Sequence, residues 1–259
     1  MANRFPHRVV ELSETASTNE DAMRLALAGE DLPLCVTARR QTSGRGRAGR
    51  AWVSLEGNLH ASYAMRTDAP IAVAGQLALV AGVAMSDAVQ AIAAAQSLTG
   101  LRLKWPTDLL IGCAKLGGVL VETTPAKQSS GFIAVLGFGL NVAACPPDLE
   151  AASLTQYGVN TNAAKALEAL DDTLERWQNV WNGGSGFSRI REAWLARCGP
   201  LGESITVQGQ HGLLRGSFEG LDAHGALLAG IDGRLQTITY GDVRLIAQCA
   251  PTGAYEPKE

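Results

Sequence analysis

Between Gln41 and Trp52 the chain reads Gln-Thr-Ser-Gly-Arg-Gly-Arg-Ala-Gly-Arg-Ala-Trp, so that Gly44, Gly46 and Gly49 alternate with Arg45, Arg47 and Arg50. A glycine backbone can approach a ligand closely, and successive N–H groups can form a concave anion site. Arginine adds planar, permanently charged donors that match paired carboxylate or phosphate oxygens. Trp52 offers a flat face for an aromatic base. The expectation is a loop that is mobile when empty and folds over an anion. Two blander readings fit the same composition: a solvated surface loop and an Arg/Gly nucleic-acid segment. No Gly-Lys-Ser/Thr closes the run, so it is not a Walker A loop.

Further polar side chains stand near the ends of expected elements. Ser17-Thr18-Asn19 precedes a helix that runs to about Leu27, where N-capping alone would explain the triplet. Strands are expected at Val9–Leu12, Leu34–Ala38, Asn58–Met65, Leu101–Trp105 and Phe132–Phe138, with a hairpin of Leu109–Ile111 and Leu116–Glu122. Asp108 follows the turn at Pro106-Thr107, where a strand stops, a common place for functional side chains. Lys115 and Asn141 fall near the ends of different strands, as a composite site requires. Taken singly, each reads as a surface lysine or a turn asparagine. A buried helix is expected from about Ile71 to Ala95, and amphipathic helices at Ala163–Val180 and Ser188–Arg197. From about Gly199 short alternating runs separated by glycine turns predict a small β-barrel. The expected division is 1–199, 200–249 and a disordered tail, 250–259.

Composition narrows the classes. A sequence 46% hydrophobic and 18% charged has a substantial core. Its net charge of −3 argues against bulk attraction to nucleic acid or an anionic membrane. Cys35, Cys113, Cys145, Cys198 and Cys249 are widely spaced with no Cys-x-x-Cys pair, which predicts thiols in a reducing compartment. The four histidines lack metal-ligand spacing and read as structural or solvated. The N-terminus has no secretory h-region, and no apolar run is long enough to span a membrane. The cytoplasm is the expected compartment.

Four stretches, taken in order, carry a resemblance: Ser17-Thr18-Asn19; Gln41-x-x-Gly44-Arg-Gly-Arg-x-Gly-Arg50; Lys104-Trp-Pro-Thr-Asp108 with Lys115-Leu-Gly-Gly118; and Gly137-Phe-Gly-Leu-Asn141. Over about residues 9–142 the series resembles the biotin protein ligases (biotin–[acetyl-CoA-carboxylase] ligases). The resemblance implies an α+β fold: a mixed, largely antiparallel sheet with helices, related to class II aminoacyl-tRNA synthetases, and a C-terminal SH3-like β-barrel. It implies that biotin and ATP form biotinyl-5′-AMP, and that the biotinyl group passes to a lysine of a biotin carboxyl carrier protein of acetyl-CoA carboxylase or a similar enzyme.

By resemblance, Ser17, Thr18, Asn19 and Gln41 lie around the biotin rings, with Gly117 and Gly118 against its chain. Arg45, Gly46 and Arg47 close on the carboxylate and then the adenylate phosphate, and Lys115 lies beside both. Arg50, Trp52, Lys104 and Asn141 belong to the nucleotide side, Trp52 and Asn141 near adenine. Asp108 is placed near Mg²⁺ and the mixed anhydride, as candidate base for the acceptor amine. Lys115, Arg47 and Asp108 form the expected catalytic set. Thr107 departs from the asparagine usual there. The sixteen residues before Ser17 leave no room for the helix-turn-helix of the repressor members, so a ligase without DNA binding is expected. The nearest alternatives are a lipoate ligase or octanoyl transferase of the same superfamily, and a non-catalytic biotin-binding protein.

Overall fold

In the computed structural model, which describes residues 7–93, 98–126, 130–209 and 212–246, the alternation of side chains along strands sorts the chain into layers. Strands β1 (Arg8–Thr15), β2 (Leu34–Gln41), β3 (Leu59–Thr67), β4 (Leu101–Lys104), β5 (Asp108–Ile111), β6 (Ala114–Pro125) and β7 (Phe132–Leu140) build one sheet in the order β1-β2-β3-β7-β6-β5-β4. β1 and β2 pair in parallel, and the other described neighbours are antiparallel.

Leu34, Val36, Ala64, Ile133 and Val135 point to one face, where Ala22 and Ala26 of helix α1 (Thr18–Leu27) cover them. Cys35, Tyr63, Ala134 and Leu136 point the other way, into a larger core with α2 (Gln76–Ile92), α3 (Ala163–Trp181) and α4 (Phe187–Leu195). Helix α2 is buried on nearly every side, as a helix held between a sheet and other helices must be. The single helix expected over 71–95 is divided: Ile71–Val73 is a separate short turn, and α2 starts after Gly75. Residues 94 and 95 lie outside the described residues.

Strands β8 (Ser204–Gly209), β9 (Gly212–Leu221), β10 (Leu227–Ile231), β11 (Arg234–Ile238) and β12 (Asp242–Leu245) form a second, antiparallel sheet in the order β11-β10-β9-β8-β12. Its apolar side joins the larger core through Ile205, Phe218 and Leu227. Polar ties reinforce the contact: Trp105 Nε1 donates to the Gly225 carbonyl at 3.1 Å, and Arg102 pairs with Glu203 at 2.6 Å. The expected tail, 250–259, and residues 247–249 lie outside the described residues. Cys35, Cys145 and Cys198 are free thiols, but Cys113 is disulfide-bonded, which corrects the expectation of a thiol there. Wide spacing along the chain does not limit proximity in space. Among the described residues no helix is long and apolar enough to cross a membrane.

Candidate active site

On the α1 side of the first sheet lies a cavity of about 990 Å³. Two neighbouring cross-strand pairs, His60–Gly139 and Ser62–Gly137, join β3 to β7. They continue the face that carries Ala64 and Val135. At each pair the glycine clears space and its partner offers a polar group. A Cβ on Gly137 would stand 2.0 Å from Asn19 Oδ1, and one on Gly139 would stand 2.4 Å from the Trp52 ring. Asn19 and Trp52 therefore sit directly on the strand backbone. Ser62 Oγ lies 2.6 Å from Asn19 Oδ1, and Trp52 Nε1 donates to His60 Nδ1 at 3.3 Å.

The residues expected around biotin surround the Asn19 end. Ser17 is the N-cap of α1, its Oγ accepting from the Glu20 N–H at 3.5 Å, so the capping reading and the cavity-lining reading both hold. Gln41 Oε1 accepts from Thr18 N–H at 2.9 Å and Thr18 Oγ1 at 3.1 Å. Its amide nitrogen points toward Ser54 Oγ at 3.5 Å. Asn19 Nδ2 donates to Glu122 Oε2 at 2.7 Å. Gly118 lines the cavity beside Lys115, but Gly117 does not. A Cβ on Gly117 would meet the Gly139 carbonyl at 2.8 Å and Met85 of α2 at 3.3 Å, so it faces the core.

At the other end Asp108 holds two lysines, Lys115 through Oδ1 at 2.6 Å and Lys104 through Oδ2 at 2.7 Å. Burial would raise the Asp108 pKa, but the two ammonium groups outweigh it and hold it below the ordinary carboxylate value. Lys115 Nζ also stands 5.8 Å from the Trp52 ring centroid. Lys115 is fixed from behind, its N–H donating to the Glu150 carbonyl and its carbonyl accepting from Ala152 N–H, both at 2.9 Å. Buried Asn141 places Nδ2 3.4 Å from the Lys115 carbonyl. Asn58, which sequence reasoning missed, accepts from the N–H groups of Val142, Ala143 and Ala144 at 3.0–3.1 Å, fixing the turn behind Asn141.

The Gly/Arg loop takes a defined form. Gly46 N–H donates to the Arg50 carbonyl at 2.7 Å, Trp52 N–H to Gly44 at 2.9 Å, and Arg47–Gly49 makes a short helical turn. Of the three glycines, Gly49 needs its φ of +72°, and Gly44 lacks room for a Cβ, which would lie 2.9 Å from the Trp52 carbonyl. All three arginines of the loop have partners within the chain. Arg45 pairs with Glu20 and lies 3.7 Å from Glu122; Arg47 donates to the Gly241 carbonyl; Arg50 makes two bonds to Asp242, at 2.6 and 3.2 Å. Burial lowers the Arg47 pKa, with Asp242 and Asp108 opposing the shift. Sequence reasoning also missed Glu20, Glu122 and Asp242, which lie on the counter-charge side of a run noticed only for its cations.

Each Asp108 oxygen is paired with one lysine. Among the described residues no group of three or more His, Cys, Asp or Glu is placed to hold a metal.

The profile of the biotin/lipoate A/B protein ligase family matches residues 12–141, and that of the biotin protein ligase C-terminal domain matches residues 201–245. The chain is 36% identical over 227 residues to a biotin–[acetyl-CoA-carboxylase] ligase of Paracoccus denitrificans, covering 84% of this chain and 92% of the relative. It is 32% identical to the ligase of the same name from Mycobacterium tuberculosis, covering 90% and 86%. In three dimensions it resembles the Aquifex aeolicus biotin protein ligase in complex with biotin and ATP, with a TM-score of 0.76, 26% identity, and coverage of 92% and 99%.

Proposed function

The chain belongs to the biotin/lipoate A/B protein ligase family, and from that membership we propose how its cavity divides the work of a biotin ligase. The enzyme joins the biotin carboxylate to the α-phosphate of ATP, releasing pyrophosphate. It then passes the biotinyl group from biotinyl-5′-AMP to a carrier lysine, releasing AMP. The carrier is the biotin carboxyl carrier protein of acetyl-CoA carboxylase or of a similar enzyme. We place the reaction in the cytoplasm, where ATP and such carriers are found.

The observation that carries this reading is the polarity of the cavity. One end offers hydroxyl and amide groups suited to a ureido ring, which has one acceptor and two donors. The other gathers Lys104, Lys115 and Arg47, with Trp52 between the two ends. Attack of a carboxylate on a phosphate brings two anions together, so the site must neutralise charge rather than supply a nucleophile. Lys115 and Arg47 do this directly. Asp108, kept ionised by its two lysines, is a weak base. It aims Lys104 and Lys115, and the proton lost by the acceptor amine is released to solvent water as AMP departs. Mg²⁺ enters with the nucleotide phosphates, since among the described residues no carboxylate cluster is placed to hold it. Arg50 and Asn141 complete the nucleotide side. Arg45, tied to Glu20 and Glu122, shapes the wall beside Asn19. Residues 1–199 act as the catalytic unit, and the sheet after residue 200 closes the loop side.

Biotin-dependent exchange of pyrophosphate into ATP tests the first step, and labelling of a single lysine on an apo carrier domain tests the second. Exchange with lipoate but not with biotin would assign the chain to the other branch of the superfamily. Biotin binding without exchange would make it a non-catalytic binder.

A further inference from the structure

Burying an imidazole without satisfying it is costly, so a wholly buried histidine invites the question of what it holds. His60 is 1% exposed. Its Nδ1 accepts from Trp52 Nε1 at 3.3 Å, and its Nε2 makes no hydrogen bond of ordinary geometry among the described residues. Apart from the Leu55 backbone, the polar group that faces the ring is the Trp52 indole N–H. His60 lies directly across from Gly139, the residue whose missing Cβ leaves room for the Trp52 ring. Two residues along, Ser62 and Gly137 seat Asn19 in the same way. The two seats are one device repeated at the strand period: a glycine on β7 provides the surface and a polar partner on β3 fixes the orientation.

We propose that His60 is a positioning residue for the nucleotide half of the reaction, its neutral Nδ1 locking the rotation of the Trp52 indole so that the ring presents a fixed face to the adenine base. Trp52 hangs from a loop and is only partly buried, so the Gly139 surface alone leaves the ring free to slide. A single acceptor at Nδ1 removes that freedom before the nucleotide arrives, which is preorganisation of a stacking platform. Burial lowers the His60 pKa, against a smaller opposing effect of the Leu55 backbone, and so supports the neutral ring that acceptance requires. The inference rests on the reading of Trp52 as an adenine face.

The test compares His60→Leu, which removes the acceptor, with His60→Asn, whose Oδ1 can stand near the position of Nδ1. Losing one hydrogen bond of ordinary net strength should raise KM for ATP by about threefold to tenfold. KM for biotin, and kcat at saturating ATP, should stay within about twofold in the same variant, since the biotin seat is built on Ser62. His60→Asn should recover most of the ATP effect. An equal rise in both KM values, or no recovery with Asn, makes His60 a packing residue and overturns the proposal. Should His60→Leu fail to fold, the wild-type protein still decides. The Trp52 indole N–H, assigned by its loss in Trp52→Phe, should exchange slowly with solvent, and rapid exchange overturns the proposal. Trp52→Ala separates the two layers of the argument. If it leaves KM for ATP unchanged, the reading of Trp52 falls and the inference with it. If it raises KM while His60→Leu does not, the inference falls alone.

Discussion

Asp108 has a lysine on each oxygen, at 2.6 and 2.7 Å, and this arrangement decides how the site should respond to pH. Its folded-state pKa is depressed, so its contribution to stability and site geometry is present above the ordinary carboxylate pKa. That contribution is lost only as pH falls through the lower folded value. Adenylation should therefore keep its acid side flat through the mildly acidic range, and Asp108→Asn should lower kcat there while leaving the profile equally flat. An acid limb near neutral pH that vanishes in Asp108→Asn would instead restore the general-base role. Lys115→Ala and Arg47→Ala should each lower adenylate formation by about 10²-fold, as removal of a preorganised charge-stabilising donor does, and release the adenylate faster. Normal retention of adenylate in both variants would mean that these residues are misassigned. Thr107, 3% exposed on the cavity wall, should tolerate asparagine with equal or higher adenylation, and a large drop would contradict this.

At the scale of elements, β3 and β7 make the floor on which Asn19 and Trp52 rest. Gly139→Ala would drive a methyl group into the Trp52 ring at 2.4 Å, and Gly137→Ala would drive one into Asn19 at 2.0 Å. The expected result is a split: Gly139→Ala raises KM for ATP, and Gly137→Ala raises KM for biotin. Equal effects on both substrates would mean that the two seats move together. Most of these elements were legible in the sequence. Alternation, turn residues and the Ser17 cap place β2, β3, β7 and α1 to within a few residues. The paired use of His60 and Ser62 opposite Gly139 and Gly137 was not, because register is set by the pairing of strands far apart in the chain. A polar i, i+2 pair inside an apolar strand was the available signal.

For the whole molecule, the question is why a separate sheet should be needed. Gly241 and Asp242, at the start of β12, receive Arg47 and Arg50, so the small sheet fastens the outer side of the loop. The Arg50 side chain is 51% exposed and Asp242 26%, so the pair contributes at most about 1 kcal/mol after solvent screening. Asp242→Ala should hence cost little stability, a Tm shift of about 2–4 °C. It should accelerate adenylate release several-fold in a chase experiment, an effect weakened in an Arg50→Ala background. Additive losses in the double variant would show that the two residues act independently.

By itself the order of residues determined the chemistry on offer: a cationic glycine loop, hydroxyl and amide groups at a helix start, two lysines and an aspartate in one short span, and an aromatic face. It also determined the local elements, because periodicity, caps and turns are properties of neighbours in the chain. The tertiary structure alone decided which groups meet. It set Asp108 between its lysines, gave each loop arginine a partner, turned Gly117 toward the core, and made His60 the support of Trp52. Those outcomes depend on strand register and on contacts between residues up to about two hundred positions apart, which no local pattern encodes.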